Sequence, residues 1–178
     1  MEERQLIEGC VRGESWAQKM LYELHAPAMM SVCQRYVCNR ETAWDLLHDG
    51  FVRLFTKIHT YSGRGSFNGW MRKVFATTAL EYFRQNDILR QSIEIDNDAF
   101  QISETDASPF EYLSNNELFD CVANLPDGCR TIFNMHAIEG YTHVEIAGIL
   151  KISDGTSRSQ YAKARRLLQK MVMELVEN

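Results

Sequence analysis

Apolar residues recur along this chain at steps of three and four, the period of helices that bury one side. A first row is set by Leu21, Leu24, Ala28, Met29, Val32 and Tyr36. A break follows at Cys38-Asn39-Arg40, where Asn39 is suited to cap the next helix. A second, cleaner row then runs through Ala43, Leu46, Leu47, Gly50, Phe51, Leu54, Phe55 and Ile58. After the polar, glycine-bearing loop Thr60–Ser66, a third helix is expected. It carries Phe67, Trp70, Met71, Val74, Phe75, Thr78 and Tyr82 on one side and Lys73, Thr77, Glu81 and Arg84 on the other.

Periodicity fades between Gln91 and Asn115, where acidic and Ser/Thr/Asn residues dominate, so a linker is expected there. Ile93, Ile95 and Phe100 are the residues able to order part of it. Helical spacing resumes from Glu117 to Leu125 and, after Pro126, from Asp127 to Ile138, with Gly140 as the stop. Thr142-His143-Val144-Glu145 reads as a capping box that opens a short helix containing Ile146, Ala147, Ile149 and Leu150. Lys151-Ile152-Ser153 makes a turn, and Ser153 can cap a long final helix running towards Met173. A short helix, a tight turn and a longer basic helix form the helix-turn-helix pattern.

Composition agrees with an all-α chain: of 178 residues 45% are hydrophobic, with only 10 Gly and 3 Pro to supply turns. No apolar run reaches the ~18 residues of a membrane span. The opening Met1-Glu2-Glu3-Arg4-Gln5 has neither the basic flank nor the apolar stretch of a secretory signal, so a cytoplasmic location is expected. Five dispersed cysteines without a C-x-x-C pair read as small buried thiols in a reducing compartment, and no metal is expected.

The net charge of −5 is unpromising for a DNA-binding protein until it is divided along the chain. Residues 1–52 carry 5 basic and 8 acidic side chains, and residues 53–90 carry 7 and 2. Residues 91–120 carry 8 acidic side chains and no basic one, and residues 121–178 carry 7 basic and 6 acidic. Two cationic zones are thus separated by an anionic bridge.

The final helix holds Arg158, Lys163, Arg165, Arg166 and Lys170 with no acid between Gly155 and Lys170. Arg158, Ser159 and Gln160 sit near its amino end, the end that enters the major groove, where Arg suits guanine and Gln suits adenine. Lys163, Arg165 and Arg166 lie further along, where phosphates are the expected partners. The other cationic zone mixes a loop, Tyr61 and Arg64, with Phe67, Asn68, Lys73, Thr77 and Arg84. Cations beside aromatic rings suit the backbone and unstacked bases of a single strand, although Phe67, Trp70 and Phe75 are also natural core residues. Asp45, His48 and Asp49 share the polar flank of the second row. With no nucleophile or further ligand paired to them, an interaction surface fits better than catalysis.

These motifs resemble those of the extracytoplasmic-function sigma factors, which keep only regions 2 and 4 of the sigma-70 family. Asp45-Leu46-Leu47-His48-Asp49-Gly50-Phe51 is similar to the family's D-x-x-Q-[DE]-x-F, with His48 and Gly50 atypical. Trp70 to Arg84 matches W-L-x-x-I-A-x-N-x-x-x-D-x-x-R in length, with Thr77 and Glu81 in place of Asn and Asp. Glu139-Gly140-Tyr141-Thr142-His143-Val144-Glu145-Ile146-Ala147 is similar to E-G-[LY]-[ST]-x-x-E-I-A. Gly155-Thr156-Ser157-Arg158-Ser159-Gln160 resembles G-T-V-[KR]-S-R, with Ser157 and Gln160 differing.

The resemblance implies region 2 over residues 1–90, an acidic linker over 91–115 and region 4 over 116–178. It implies a non-enzymatic, cofactor-free factor whose partners are core RNA polymerase, promoter DNA and an anti-sigma protein. Polymerase binding would fall to Asp45, His48 and Asp49. Recognition of the −10 element would fall to the Tyr61–Asn68 loop with Lys73, Thr77 and Arg84, and of the −35 element to Arg158, Ser159, Gln160, Lys163, Arg165 and Arg166. Two rivals are a free-standing helix-turn-helix transcriptional regulator and a helical metal-binding protein or enzyme using Asp45, His48 and Asp49.

Overall fold

The computed structural model describes residues 3–85 and 115–176; apart from Asn115, the linker expected over 91–115, with Ile93, Ile95 and Phe100, lies outside them. Among the described residues every regular element is helical. The chain divides into two compact units, Met1–Tyr82 and Phe83–Asn178.

The first unit is built from α1 (Glu3–Val11), α2 (Ser15–Tyr36), α3 (Arg40–Lys57), a 3-10 turn at Ile58–Thr60, and α4, which begins at Phe67 and runs to Gln85. Asn39 starts α3 as expected, its side-chain oxygen accepting from the Thr42 backbone N–H at 3.0 Å. The α3 row is buried at Ala43, Leu46, Leu47, Gly50, Phe51, Leu54 and Ile58. From α4, Phe67, Met71, Phe75, Ala76 and Ala79 are buried. Rings of Phe51 and Phe75 meet edge to face, with centroids 5.1 Å apart. An Arg53–Glu81 ion pair also ties α3 to α4.

The α2 row needs correction. Its buried line is Ala17, Leu21, Met29, Val32, Cys33 and Tyr36, whereas Leu24 is 65% exposed and Ala28 is exposed too. Leu24, Ala28, Val32 and Tyr36 follow one another by steps of four, but only the last two are buried, whereas Ala17, Leu21, Met29 and Cys33 on the adjoining row all are. Where α1 and α2 meet, a Cβ on Gly9 would stand 2.7 Å from that of Ala17, so the small residue permits the close approach.

The second unit contains α5 (Asn115–Ala123), α6 (Asp127–Phe133), α7 (His143–Leu150) and α8 (Asp154–Val176). Its core gathers Cys121, Val122, Leu125 and Cys129 against Ala164 and Leu168 of α8, with Phe133, Leu167 and Met171 packed at the edge. Arg130 is buried among them. Its guanidinium donates to the carbonyls of Ala123 (3.0 Å) and Leu125 (2.8 Å) and pairs with Asp127. It therefore closes the carboxy end of α5, where helical carbonyls lack partners.

The single helix expected over Asp127–Ile138 changes character at Asn134, where it widens into a π turn through Ile138. The Glu139 N–H donates to the carbonyl of Asn134, and that of Tyr141 to Met135. Gly140, at φ +80°, ends the segment as expected. Four of the five cysteines are small core residues, Cys10, Cys33, Cys121 and Cys129, whereas Cys38, expected to be buried with them, is exposed. Burial pushes the Cys33 thiol up to about 12, which keeps it protonated and inert.

Candidate nucleic-acid interface

The turn between α7 and α8 is held by local chemistry. Thr142 accepts from the Glu145 backbone N–H, while the Glu145 carboxylate accepts from the Thr142 N–H at 2.8 Å, completing the capping box. Lys151 closes α7 in the left-handed region at φ 56°, and the Ile152 N–H returns to the carbonyl of Ala147 at 3.1 Å. Ser153 then caps α8 by accepting from the Thr156 N–H at 2.9 Å.

The inner face of α8 is Ser157, Gln160, Ala164, Leu168 and Val172, all buried. Gln160, expected to read a base edge, is instead turned into the core. It is 5% exposed, and its side-chain carbonyl accepts a hydrogen bond from the Cys129 thiol at 3.0 Å. The spacing that places it inside was present in the sequence, because Gln160 precedes Ala164, Leu168 and Val172 by successive steps of four, along one row of the helix. Arg158, Ser159, Arg165, Arg166 and Lys170 face solvent, and Lys163 is half-buried. Ser159 donates to the carbonyl of Thr156 at 3.0 Å, and Arg158 donates through Nε to Asp154 at 2.9 Å.

Behind this face lies an aromatic cluster. The rings of His136 and His143 stack with centroids 4.2 Å apart, and Tyr161 of α8 stands against both, at 4.6 and 5.6 Å. His136 Nδ1 lies 2.8 Å from the Tyr141 carbonyl, which can only accept, so that nitrogen carries a proton. His143 Nδ1 lies 2.9 Å from the Ser157 hydroxyl. Burial, then His136 and Arg158, hold His143 below its ordinary imidazole range, with Asp154 opposing them.

In the first unit, the loop before α4 is shaped by Gly63 and Gly65, both at positive φ (75° and 78°). Tyr61 closes it by donating its hydroxyl to the Gly65 carbonyl at 2.7 Å, with its half-buried ring against Phe67 and Trp70. Phe67 is 1% exposed, so its expected place in a strand-binding surface is corrected to the core. Arg64, Asn68, Lys73, Thr77 and Arg84 are exposed. The Thr77 hydroxyl donates to the Lys73 carbonyl at 2.7 Å.

Asp45, His48 and Asp49 are exposed together on α3. Beside them stand two apolar residues that the sequence reading passed over, Trp44 at 42% and Val52 at 67% exposure. Trp44 and His48 are ring neighbours, with centroids 6.0 Å apart. The signal was a tryptophan and a valine off the buried row, spaced with His48 at whole turns. Among the described residues no three His, Cys, Asp or Glu side chains gather as metal ligands. None of the described helices is long and apolar enough to cross a membrane.

One of the two helical units thus carries a short capped helix, a tight turn and a longer helix with a cationic outer face, the arrangement of a DNA-binding helix-turn-helix. The family model for sigma-70 region 2 matches residues 21–88, and that for sigma-70 region 4 matches residues 115–168. The chain belongs to the sigma-70 family as an extracytoplasmic-function sigma factor, which directs RNA polymerase to promoters.

The ECF RNA polymerase sigma-E factor of Haemophilus influenzae is 24% identical over 186 residues, covering 99% of this chain and 98% of its own. That of Escherichia coli K12 is 22% identical over 183 residues, covering 96% and 94%. Among solved structures, the sigma factor RpoE of Bartonella quintana, crystallised with the anti-sigma factor NepR, aligns with a TM-score of 0.50 at 17% identity over 87% of this chain and 96% of its own. CnrH, in complex with the cytosolic domain of CnrY, aligns with the same score and identity over 97% of each chain.

Proposed function

We propose that the two units divide the promoter between them, with residues 1–90 acting as region 2 and residues 116–178 as region 4. Arg158 and Ser159 meet base edges of the duplex −35 element, while Arg165, Arg166 and Lys163 meet its phosphates. Arg64, Asn68, Lys73, Thr77 and Arg84 hold the melted −10 strand, and Tyr61 sets the shape of the loop that presents it. The α3 face of Asp45, His48 and Asp49, with Trp44 and Val52, docks on core polymerase. The acidic stretch over 91–115 tethers the units. About 25 residues reach roughly 80–90 Å when extended, more than the ~70 Å of two duplex turns.

The observation that carries this reading is the outer face of α8. Cationic side chains project from a helix whose start is fixed by a capped turn, while its other side is fully used by the core. The protein acts in the cytoplasm without chemistry of its own, the polymerase supplying the catalysis. An anti-sigma protein is its expected restraint, since the Bartonella quintana sigma factor named above was crystallised with one.

Reconstitution with core polymerase and run-off transcription tests the whole assignment. Promoter-selective transcripts are expected with polymerase, and weak, unselective DNA binding without it. Tight sequence-specific binding by the protein alone, with polymerase left unprogrammed, would establish the free-standing regulator instead.

A further inference from the structure

On a surface that must approach phosphates, a carboxylate is an electrostatic cost. Asp154, the first residue of α8, places one there beside Arg158. It is not needed as a helix cap, because Ser153 already accepts from the Thr156 N–H and pairs with its hydroxyl at 2.7 Å. One carboxylate oxygen of Asp154 is buried without a hydrogen-bond partner, and the other accepts from Arg158 Nε at 2.9 Å. The pair lies at the surface, the Asp154 side chain 42% and that of Arg158 59% exposed, and the inward turn of one oxygen sets which oxygen faces Nε.

A guanidinium is a rigid plane with five N–H donors. Holding Nε leaves the four N–H bonds of the two terminal nitrogens on the far edge, where they can form the two-pronged contact that distinguishes guanine O6 and N7. Released from Asp154, the long side chain would reach phosphate oxygens as readily as a base edge. We propose that Asp154 is a positioning residue for −35 specificity, a carboxylate anchor that fixes the plane of Arg158 against one base pair. The proposal rests on the assignment of Arg158 to base recognition given above.

The test is run-off transcription by the reconstituted holoenzyme on promoters carrying every base at each −35 position. Asp154→Ala is expected to shrink the preference at one position by roughly tenfold, the scale of one good two-pronged contact. Arg158→Ala should flatten that same position, and adding Asp154→Ala to it should change nothing further. Binding of the Asp154→Ala holoenzyme to unrelated duplex should rise about two- to threefold, because a repulsive charge is gone. A merely structural role would not give this loss of selectivity with gain of unselective affinity.

Unchanged preference in Asp154→Ala, where Arg158→Ala flattens a position, overturns the anchor and leaves the reading of Arg158 intact. No flattened position in Arg158→Ala overturns both.

Discussion

Gly50 on α3 lies against the ring of Phe75 on α4 so closely that a Cβ added to the glycine would stand 2.3 Å from Cε1 and 2.5 Å from Cδ1. An aromatic ring held on several sides cannot yield that distance by a small shift. The glycine that departs from the family pattern is thus the partner of a large α4 side chain, and the pair sets how near the two helices run.

Gly50→Ala should therefore destabilise the protein by about 1–3 kcal/mol, outweighing the roughly 1 kcal/mol that alanine gains over glycine in a helix. Thermal unfolding followed by circular dichroism measures it. Adding Phe75→Leu to Gly50→Ala should recover part of the loss. A Gly50→Ala protein as stable as the parent would mean that the helices separate freely.

Gln160 offers a contrast with Arg158 two residues earlier. Gln160→Ala removes the acceptor of the Cys129 thiol and opens space between α6 and α8. A loss of about 1–3 kcal/mol in stability is expected, with base preferences at the −35 element unchanged. Altered preference at full stability would return Gln160 to the DNA surface.

The stacked histidines predict an acid-sensitive second unit. His143 is held below its ordinary value of 6.5, so the folded chain binds that proton less readily than the unfolded one. The groups that face it are His136, and Asp154, Ser157, Arg158 and Tyr161 on α8. The stabilisation is complete above the ordinary value and is lost as pH falls through the depressed one. Unfolding midpoints measured from pH 7.5 to pH 5 should fall by a few degrees more in the parent than in His143→Asn. Parallel curves for the two proteins would remove His143 as the cause.

Val52→Asp places a charge on an exposed apolar position of α3. Its melting point should move by no more than about a degree, since surface substitutions change stability by little. Its affinity for core polymerase should fall tenfold or more, as measured by competition with labelled parent protein. Undiminished affinity would place the docking surface elsewhere.

What could be read from the sequence was what is decided within a turn or two of chain. Asn39, the Thr142–Glu145 box and Ser153 act on backbone groups three residues away, so their roles follow from local spacing. The α3 row was legible at nearly every position because apolar residues occupy both edges of its stripe. Leu24, Phe67 and Gln160 were misplaced where the decision belongs to a neighbouring helix. Leu24 is left 65% exposed by the described helices, Phe67 meets the ring of His25 on α2 as well as those of Tyr61 and Trp70, and Gln160 answers a thiol 31 residues away. The π turn after Phe133 has no periodic signature in so short a segment, and no local spacing distinguishes Asp154 from an ordinary acid at a helix start.

Arg130 spends its charge on the carbonyls of α5, and that bears on how the protein responds to ionic strength. Each phosphate neutralised on a duplex releases close to one condensed counterion, and the logarithm of affinity falls with that of salt by about 0.9 per contact. A guanidinium enclosed by protein takes no part in this exchange. The salt dependence of −35 binding is accordingly set by fewer cations than the 7 that residues 121–178 contain.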